Sequence, residues 1–338
     1  MKLRGEAWPV FGWTDDMRPV LARARAQSRA VALATIVALD GSAPRQPGTR
    51  MVFDGADASG HFSGGCIEAD IANHAAKVVG SGQPALLTYG RNSPWIDIRL
   101  ACGTSMEILV ERIAPDDLGI ARLLALSDAR IPSICTSDGA VRTVSPHDGT
   151  PCLEYSREPL CLIQSHEPPW RLVVVGGDPT ALAIAHLASQ AGIATSLLRP
   201  DGPAAHPPFD CADYRRGDVV AELEETALDH WTAVAIAIHE PEIEHQLLRI
   251  SLRSDAAYVG VLGAAARVQE RRRRLAQAGL SPCELARIRA PMGIASCGKA
   301  PWEVAVSVMA EILHCRAAGR LGPANSPERA QFESCPLN

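Results

Sequence analysis

The sequence predicts an α/β protein: an N-terminal mixed α/β domain followed by a Rossmann-like, doubly wound parallel-sheet domain. Three observations carry this. The chain has 338 residues, too long for one ordinary core, so two domains are expected. After "RLVVVGG" (171–177) strand and helix patterns alternate in units of ~30 residues, as in βαβ repeats. Before it, strands of several lengths are separated by long Gly- and Pro-containing loops with few helices. "SHEPPW" (165–170) is the natural linker. The expected domains are 1–165, with a core at about 30–114, and 170–316; the polar, proline-bearing stretch 317–338 reads as a mobile tail.

Composition narrows the function classes. Hydrophobic residues make up 47% and charged residues 21%, the balance of a soluble globular protein. A net charge of −5 argues against general nucleic-acid binding. The first seventeen residues carry no apolar run ahead of a small-residue cleavage site. No stretch approaches the ~18 apolar residues of a membrane span. A cytoplasmic protein is expected, with neither a nucleic-acid nor a membrane partner. None of the ten cysteines sits in C-x-x-C or zinc-ligand spacing, so most read as free thiols in cores.

Along the first domain, "AVALATIVALD" (30–40) is β-branched and apolar and reads as a buried strand. The loop "GSAPRQPGTR" follows, then the short strand "MVFD" and the loop "GADASGHFSGG". From Cys66 to about Val79 the pattern is helical, with Ile67, Ile71, Ala75 and Val78 on one face and Gly80 and Gly82 as the stop. "PALLTYG" and "SMEILVERI" read as strands around the loop "RNSPWIDIRLACGT". "DDLGIARLLALSDA" reads as a helix, and "IPSICTSDGAVRTVSPHDG" as two strands joined at Asp138-Gly139. In the second domain "RLVVVGG", "ATSLLRP", "TAVAIAIH" and "YVGVLG" are buried strands, and such runs imply a parallel sheet covered on both faces.

Three loops draw attention chemically. In "FSGGCIEADI", Cys66 stands where a glycine loop becomes a helix. Unpaired N–H groups and the dipole there favour a thiolate. Gly64 and Gly65 allow close backbone approach, and the free N–H groups suit a phosphate. Glu68 suits the same dipole but opposes a thiolate. The structural alternative is a small buried residue opening a helix. In "LACGTS", Cys102 and Gly103 precede a strand; a second soft sulfur there suits a soft metal, and a core-facing thiol is the alternative. "GSAPRQPGTR" offers Ser42, Arg45, Gln46 and Arg50 among stiffening prolines, and its guanidinium groups suit a phosphate or a polar ring, or else simply face solvent.

"VVVGGDPTA" stands where a dinucleotide fingerprint begins, but Asp178 takes the middle-glycine position and should repel a pyrophosphate. Arg199 replaces the acid expected at the end of the second strand. NAD(P) binding is therefore doubtful, and a scaffold role for the domain stands beside nucleotide contact at Gly176 and Gly177. The arginines of "RVQERRRRL" span all sides of a helix and read as solvated surface. "ASCGKAPWE" reads as a helix cap, with Cys297 and Lys299 as a lesser anion site. His239 ends a strand, where open α/β sheets bind ligands.

The strings "ATIVALDGSAPRQPGTRMVF", "SGGCIEADI", "LACGTSMEILVE", "RLVVVGGDPTALAIAHLA", "YVGVLGAAARVQERRRRL" and "APMGIASCGKAPWEVAVSVMAEIL" together resemble the XdhC/CoxI proteins, accessory factors of xanthine dehydrogenase and related molybdenum hydroxylases. The match in order and spacing spans roughly residues 30 to 315. Departures are Asp178 for a usual glycine, Ala264 after the "LG" glycine, and Ala295-Ser296-Cys297 in a turn usually rich in Asp and Gly. The resemblance implies a maturation chaperone more than an enzyme. Such a protein binds molybdenum cofactor (molybdopterin or its cytosine dinucleotide), works with a cysteine desulfurase that supplies the sulfido ligand, and delivers the cofactor to an apo-hydroxylase. It implies cofactor contact at Ser42, Arg45, Gln46, Arg50, Gly64, Gly65, Cys66, Glu68, Cys102, Gly103, Gly176 and Gly177, with Cys66 near the molybdenum. A homodimer is compatible with it, without a decisive interface signature. The rivals are an NAD(P)-dependent oxidoreductase and a non-catalytic adaptor between desulfurase and hydroxylase.

Overall fold

The computed structural model describes residues 15–41, 43–55, 57–63, 65, 67–90, 105–294 and 297–320, the last three of these by backbone alone. Ser42, Gly64, Cys66, Cys102 and Gly103 lie outside the described residues, as does the expected tail beyond Arg320. The chain divides into two compact units, 1–169 and 170–338.

The first unit runs α1 (Arg18–Ala26), β1 (Val31–Asp40), β2 (Arg50–Asp54), β3 (Asp57–Ser59), α2 (Glu68–Ser81), β4 (Ala85–Gly90), β5 (Ser105–Ile113), α3 (Leu118–Asp128), β6 (Ser133–Ser137), β7 (Arg142–Pro146), β8 (Leu153–Arg157) and β9 (Leu160–His166). An antiparallel sheet has the order β3-β2-β1-β5-β4, and a second has the order β7-β6-β9-β8. β1 is buried from Val31 to Val37, and apolar there except for Thr35, because both its faces are covered. Ala32, Ala34 and Ile36 meet Ile67, Ile71 and Ala75 around α2. Val31 and Leu33 meet Leu21 of α1 and Leu123 of α3. Val37 and Leu109 meet Leu162 of the second sheet.

Two sequence expectations need correction here. α2 starts at Glu68, not Cys66, and Gly80 lies inside it. Gly82 ends it, in the left-handed conformation (φ 74°) that a Cβ disfavours. The hairpin β8–β9 adds two strands that the sequence reading did not identify, with Leu153, Tyr155 and Leu160 packed inward and Glu154 and Ser156 exposed. β9 also carries Ser165 and His166, read above as the start of the linker, within the sheet.

The second unit runs β10 (Arg171–Gly176), α4 (Pro179–Gln190), β11 (Ala194–Arg199), β12 (Asp213–Arg216), α5 (Val219–Glu224), β13 (Thr232–Ala237), α6 (Pro241–Arg253), β14 (Tyr258–Val261), α7 (Val268–Gln277), α8 (Pro282–Ala286), β15 (Ile288–Arg289) and α9 (Pro301–Arg320). α9 thus continues into the stretch expected to be tail. The sheet order is β12-β11-β10-β13-β14-β15, with every described pairing parallel. Numbered within the unit this is 3-2-1-4-5-6, the doubly wound Rossmann order. Alternate residues of β10 serve opposite cores. Leu172 and Val174 pack under α4 and α9, and Val173 and Val175 under α5 and α6. The α/β class and Rossmann-like second domain expected from sequence are what the fold shows.

The arginines of α7 are not all solvated. Arg271 is buried, and its Nε and Nη2 donate to Glu244 (2.5 and 2.8 Å) and its Nη2 to Leu262 O (2.8 Å). A Cβ on Gly263 would lie 2.6 Å from Arg271 Nη2, so the "LG" glycine makes room for this guanidinium. Arg273 and Arg274 do lie at the surface, paired with Glu270 and Glu242.

Candidate functional site

The loop before α2 is built around one carboxylate. Glu68 is buried and turns back under its own loop. Its Oε1 accepts from the N–H groups of Phe62 (3.0 Å) and Ser63 (2.7 Å). Its Oε2 accepts from the Ser63 hydroxyl (2.7 Å), Gly65 N–H (2.9 Å) and Ile67 N–H (3.2 Å). Burial alone would raise this carboxyl, but the hydrogen bonds from Ser63 and Phe62 outweigh it and hold the pKa at about 2. Gly65 has φ 115°, a conformation suited to glycine.

This geometry corrects one expectation. The N–H groups of Phe62, Ser63, Gly65 and Ile67 are not free for a phosphate, because Glu68 already occupies them. The glutamate shapes the loop that carries Cys66 and is itself turned away from solvent. Beside it, Asp70 accepts from the Tyr89 hydroxyl at 2.7 Å, tying the first turn of α2 to β4.

The preceding loop distributes its polar residues differently from expectation. Arg45 pairs with Asp15. Gln46 is exposed, and its carbonyl accepts from Thr49 N–H at 3.1 Å. Arg50 is not a loop residue: it opens β2 opposite Thr35 of β1. Burial pushes its guanidinium down, with Cys135 and Glu111 opposing and Arg142 adding to the effect. Arg50 lines the same small internal gap as Glu111, Cys135 and Arg142, and its Nε is buried without a hydrogen-bond partner.

In the second unit the β10–α4 turn is also filled from within. A Cβ on Gly176 would lie 2.4 Å from Ala237 O. The close approach of β10 and β13 by itself requires a glycine here. Gly176→Ala is expected to destabilise the protein by about 1–3 kcal/mol, read as a lower denaturation midpoint. An unchanged midpoint would show that the two strand ends separate freely. Asp178, standing at the middle-glycine position, caps α4 by accepting from Ala181 N–H at 2.8 Å, with Pro179 at the first helical position. His239 Nε2 lies 3.5 Å from Asp178 Oδ2. The usual pyrophosphate seat is thus held by a resident carboxylate. Across the turn, Arg199 Nη2 donates to Gly177 O at 2.9 Å, while its Nε is buried without a hydrogen-bond partner.

Further along, Glu303 Oε2 accepts from Ala300 N–H at 2.9 Å, the cap expected at the start of α9; Cys297 is exposed. Among the described residues no group of three or more His, Cys, Asp or Glu is placed to hold a metal ion. No helix among them is long and apolar enough to cross a membrane. The sequence reading missed the buried set Glu111, Asp117 and Arg142. An arginine one residue past a hairpin turn carries no local sign that it points inward.

Comparisons with known proteins agree with this architecture. Residues 24–90 match the model of the XdhC and CoxI family, and residues 172–312 match that of the XdhC Rossmann domain. The chain is similar to the molybdenum cofactor insertion chaperone PaoD of Escherichia coli, 27% identical over 311 residues covering 90% of each protein. It is also similar to a protein of Bacillus subtilis described as a probable xanthine dehydrogenase subunit, 26% identical over 326 residues, or 84% of this chain and 92% of the relative. A crystal structure described as a xanthine dehydrogenase from Bacillus halodurans shares the fold with a TM-score of 0.73 at 22% identity, over 92% of this chain and 98% of that one. With the N-terminal signature segment and the Rossmann domain both matched in their places on this fold, the chain belongs to the XdhC and CoxI family.

Proposed function

We propose that this protein is a molybdenum cofactor insertion chaperone: it binds the cofactor and delivers it to a molybdenum hydroxylase. The observation that carries the reading is the similarity to PaoD along nine-tenths of both chains. When bound, the cofactor supplies the molybdenum–dithiolene centre that a hydroxylase needs. Within the chain, Arg199 fits such an anionic group. It makes no ion pair among the described residues, and its buried Nε lacks an acceptor, a state that a phosphate oxygen relieves. The loop shaped by Glu68 sets the chain direction at Gly65 and Ile67, on either side of Cys66. In this reading that thiol, with Cys102, stands beside the molybdenum.

The same reading includes the finer points implied by family resemblance: sulfuration with a cysteine desulfurase, carriage of the cytosine dinucleotide form, a homodimer, and action in the cytoplasm. The oxidoreductase alternative loses support at Asp178, whose carboxylate and helix cap occupy the place a nicotinamide dinucleotide's pyrophosphate takes.

Anaerobic incubation with molybdenum cofactor, then gel filtration with metal and pterin analysis, tests the proposal. Wild type should co-elute with both and restore activity to an apo-hydroxylase; Cys66→Ala should lose most of the molybdenum while keeping its partner. Partner binding without retained cofactor in wild type would favour the adaptor instead.

A further inference from the structure

The connection from β11 to β12 carries four prolines, Pro200, Pro203, Pro207 and Pro208. Proline lacks the N–H and fixes φ, so this segment cannot form the helix that usually covers a βαβ crossover. The chain crosses instead as a loop, and α5 after β12 packs in the opposite core. Beside α4 the uncovered space over β11 and β12 remains as a cavity of about 420 Å³, a size typical of small-molecule sites.

Its walls are flat and aromatic. His186 on α4 faces Phe209 of the proline loop with ring centroids 5.0 Å apart. It also meets Trp302 edge-on at 5.4 Å, at the start of α9. Trp302 is 52% exposed, an indole left with open area beside an apolar hollow. Leu197 lines the cavity from the sheet, and Arg199 lines it beside the β10–α4 turn. Arg199 is the one lining side chain already shown to have a buried donor without an acceptor. The helix N-terminus next to it is closed to anions by Asp178, so an anionic group is drawn to the guanidinium instead.

We infer that this cavity is a nucleotide-type pocket, in which a planar heteroaromatic ring lies against Phe209 and Trp302 while its phosphate is held by Arg199. The inference deepens the carrier reading by naming the part of the ligand held here. The same chemistry is offered by the nucleotide arm of a dinucleotide cofactor and by a free cellular nucleotide.

Fluorescence titration of the full chain with CMP, AMP and cytidine tests it, with calorimetry as the second readout. CMP should quench the indole emission saturably in wild type and much less in Trp302→Phe. Cytidine, lacking the phosphate, should bind about tenfold or more weakly, and Arg199→Met should weaken CMP to a similar degree. AMP binding as tightly as CMP would assign the pocket to free nucleotides in general; preference for CMP would assign it to the cytosine arm. Neither quenching nor heat with either nucleotide would overturn the inference, as would unchanged CMP affinity in folded Trp302→Ala/Phe209→Ala. Molybdenum retention measured separately keeps the two proposals apart. If molybdenum co-elutes but no nucleotide binds, the pocket falls and the carrier stands; the reverse result removes the carrier and leaves the pocket.

Discussion

Arg142→Ala should destabilise the protein by about 3–5 kcal/mol, the cost of leaving buried carboxylates without their partner. The Arg142 side chain is 2% exposed, and so is that of Glu111. Its Nη2 donates to Glu111 at 2.9 Å and its Nη1 to Asp117 at 2.8 Å. Glu111 also accepts from the Ser137 hydroxyl, and Asp117 caps α3 through Ile120 N–H at 2.8 Å. One guanidinium therefore joins β5 to the hairpin β6–β7 and to the start of α3. Gly119 fits over it, since a Cβ there would lie 2.6 Å from that of Arg142. Removing the arginine strands two carboxylates and opens a void. A fall in melting temperature of roughly 10 °C is expected. The double change Glu111→Gln/Arg142→Met should be milder than the single one, because it removes the charges together. A loss below about 1 kcal/mol in Arg142→Ala would mean that water reaches the cluster and screens it.

Glu68→Gln should cost about 2–3 kcal/mol, because the loop loses the charge on which its N–H groups converge. The carboxyl is moved from its ordinary 4.5 down to about 2 in the folded protein. That difference corresponds to roughly 3 kcal/mol of stabilisation. Because the folded value is the lower one, the contribution is fully present above about pH 4.5 and is lost as pH falls toward 2. Wild type should therefore lose stability steeply over that window, and Glu68→Gln should lose less. Stability measured by denaturation at a series of pH values checks this. Parallel acid limbs in the two proteins would show that Glu68 does not hold the loop. If the carrier function proposed above holds with Cys66 in the site, cofactor retention in Glu68→Gln should fall as well.

Much of the fold was legible in the chain because burial leaves a periodic mark. The run Val31–Asp40 reads as a strand since both its faces are covered, and the alternation after Arg171 reads as a parallel sheet for the same reason. The family was legible from strings such as "SGGCIEADI" that propensity alone does not require. The hairpin β8–β9 was not legible, nor was α7's buried Arg271, because an arginine or an alternating segment carries the same letters whether it faces a partner or water.

The sequence by itself determined that there are two α/β units, that the second is Rossmann-like, that its glycine fingerprint is broken at Asp178, and that the chain resembles molybdenum hydroxylase accessory factors. Each follows from local pattern, which the one-dimensional chain contains in full. Tertiary structure alone decided where the polar side chains are satisfied. Glu68 takes the N–H groups expected to be free for a phosphate, Arg50 enters the interior, Asp178 caps α4, and Arg199 keeps an unmet donor beside an aromatic cavity. The surroundings of Arg50 and Arg199 come from residues far apart in sequence, and even the local contacts of Glu68 and Asp178 need a loop geometry that exists only once the chain has folded.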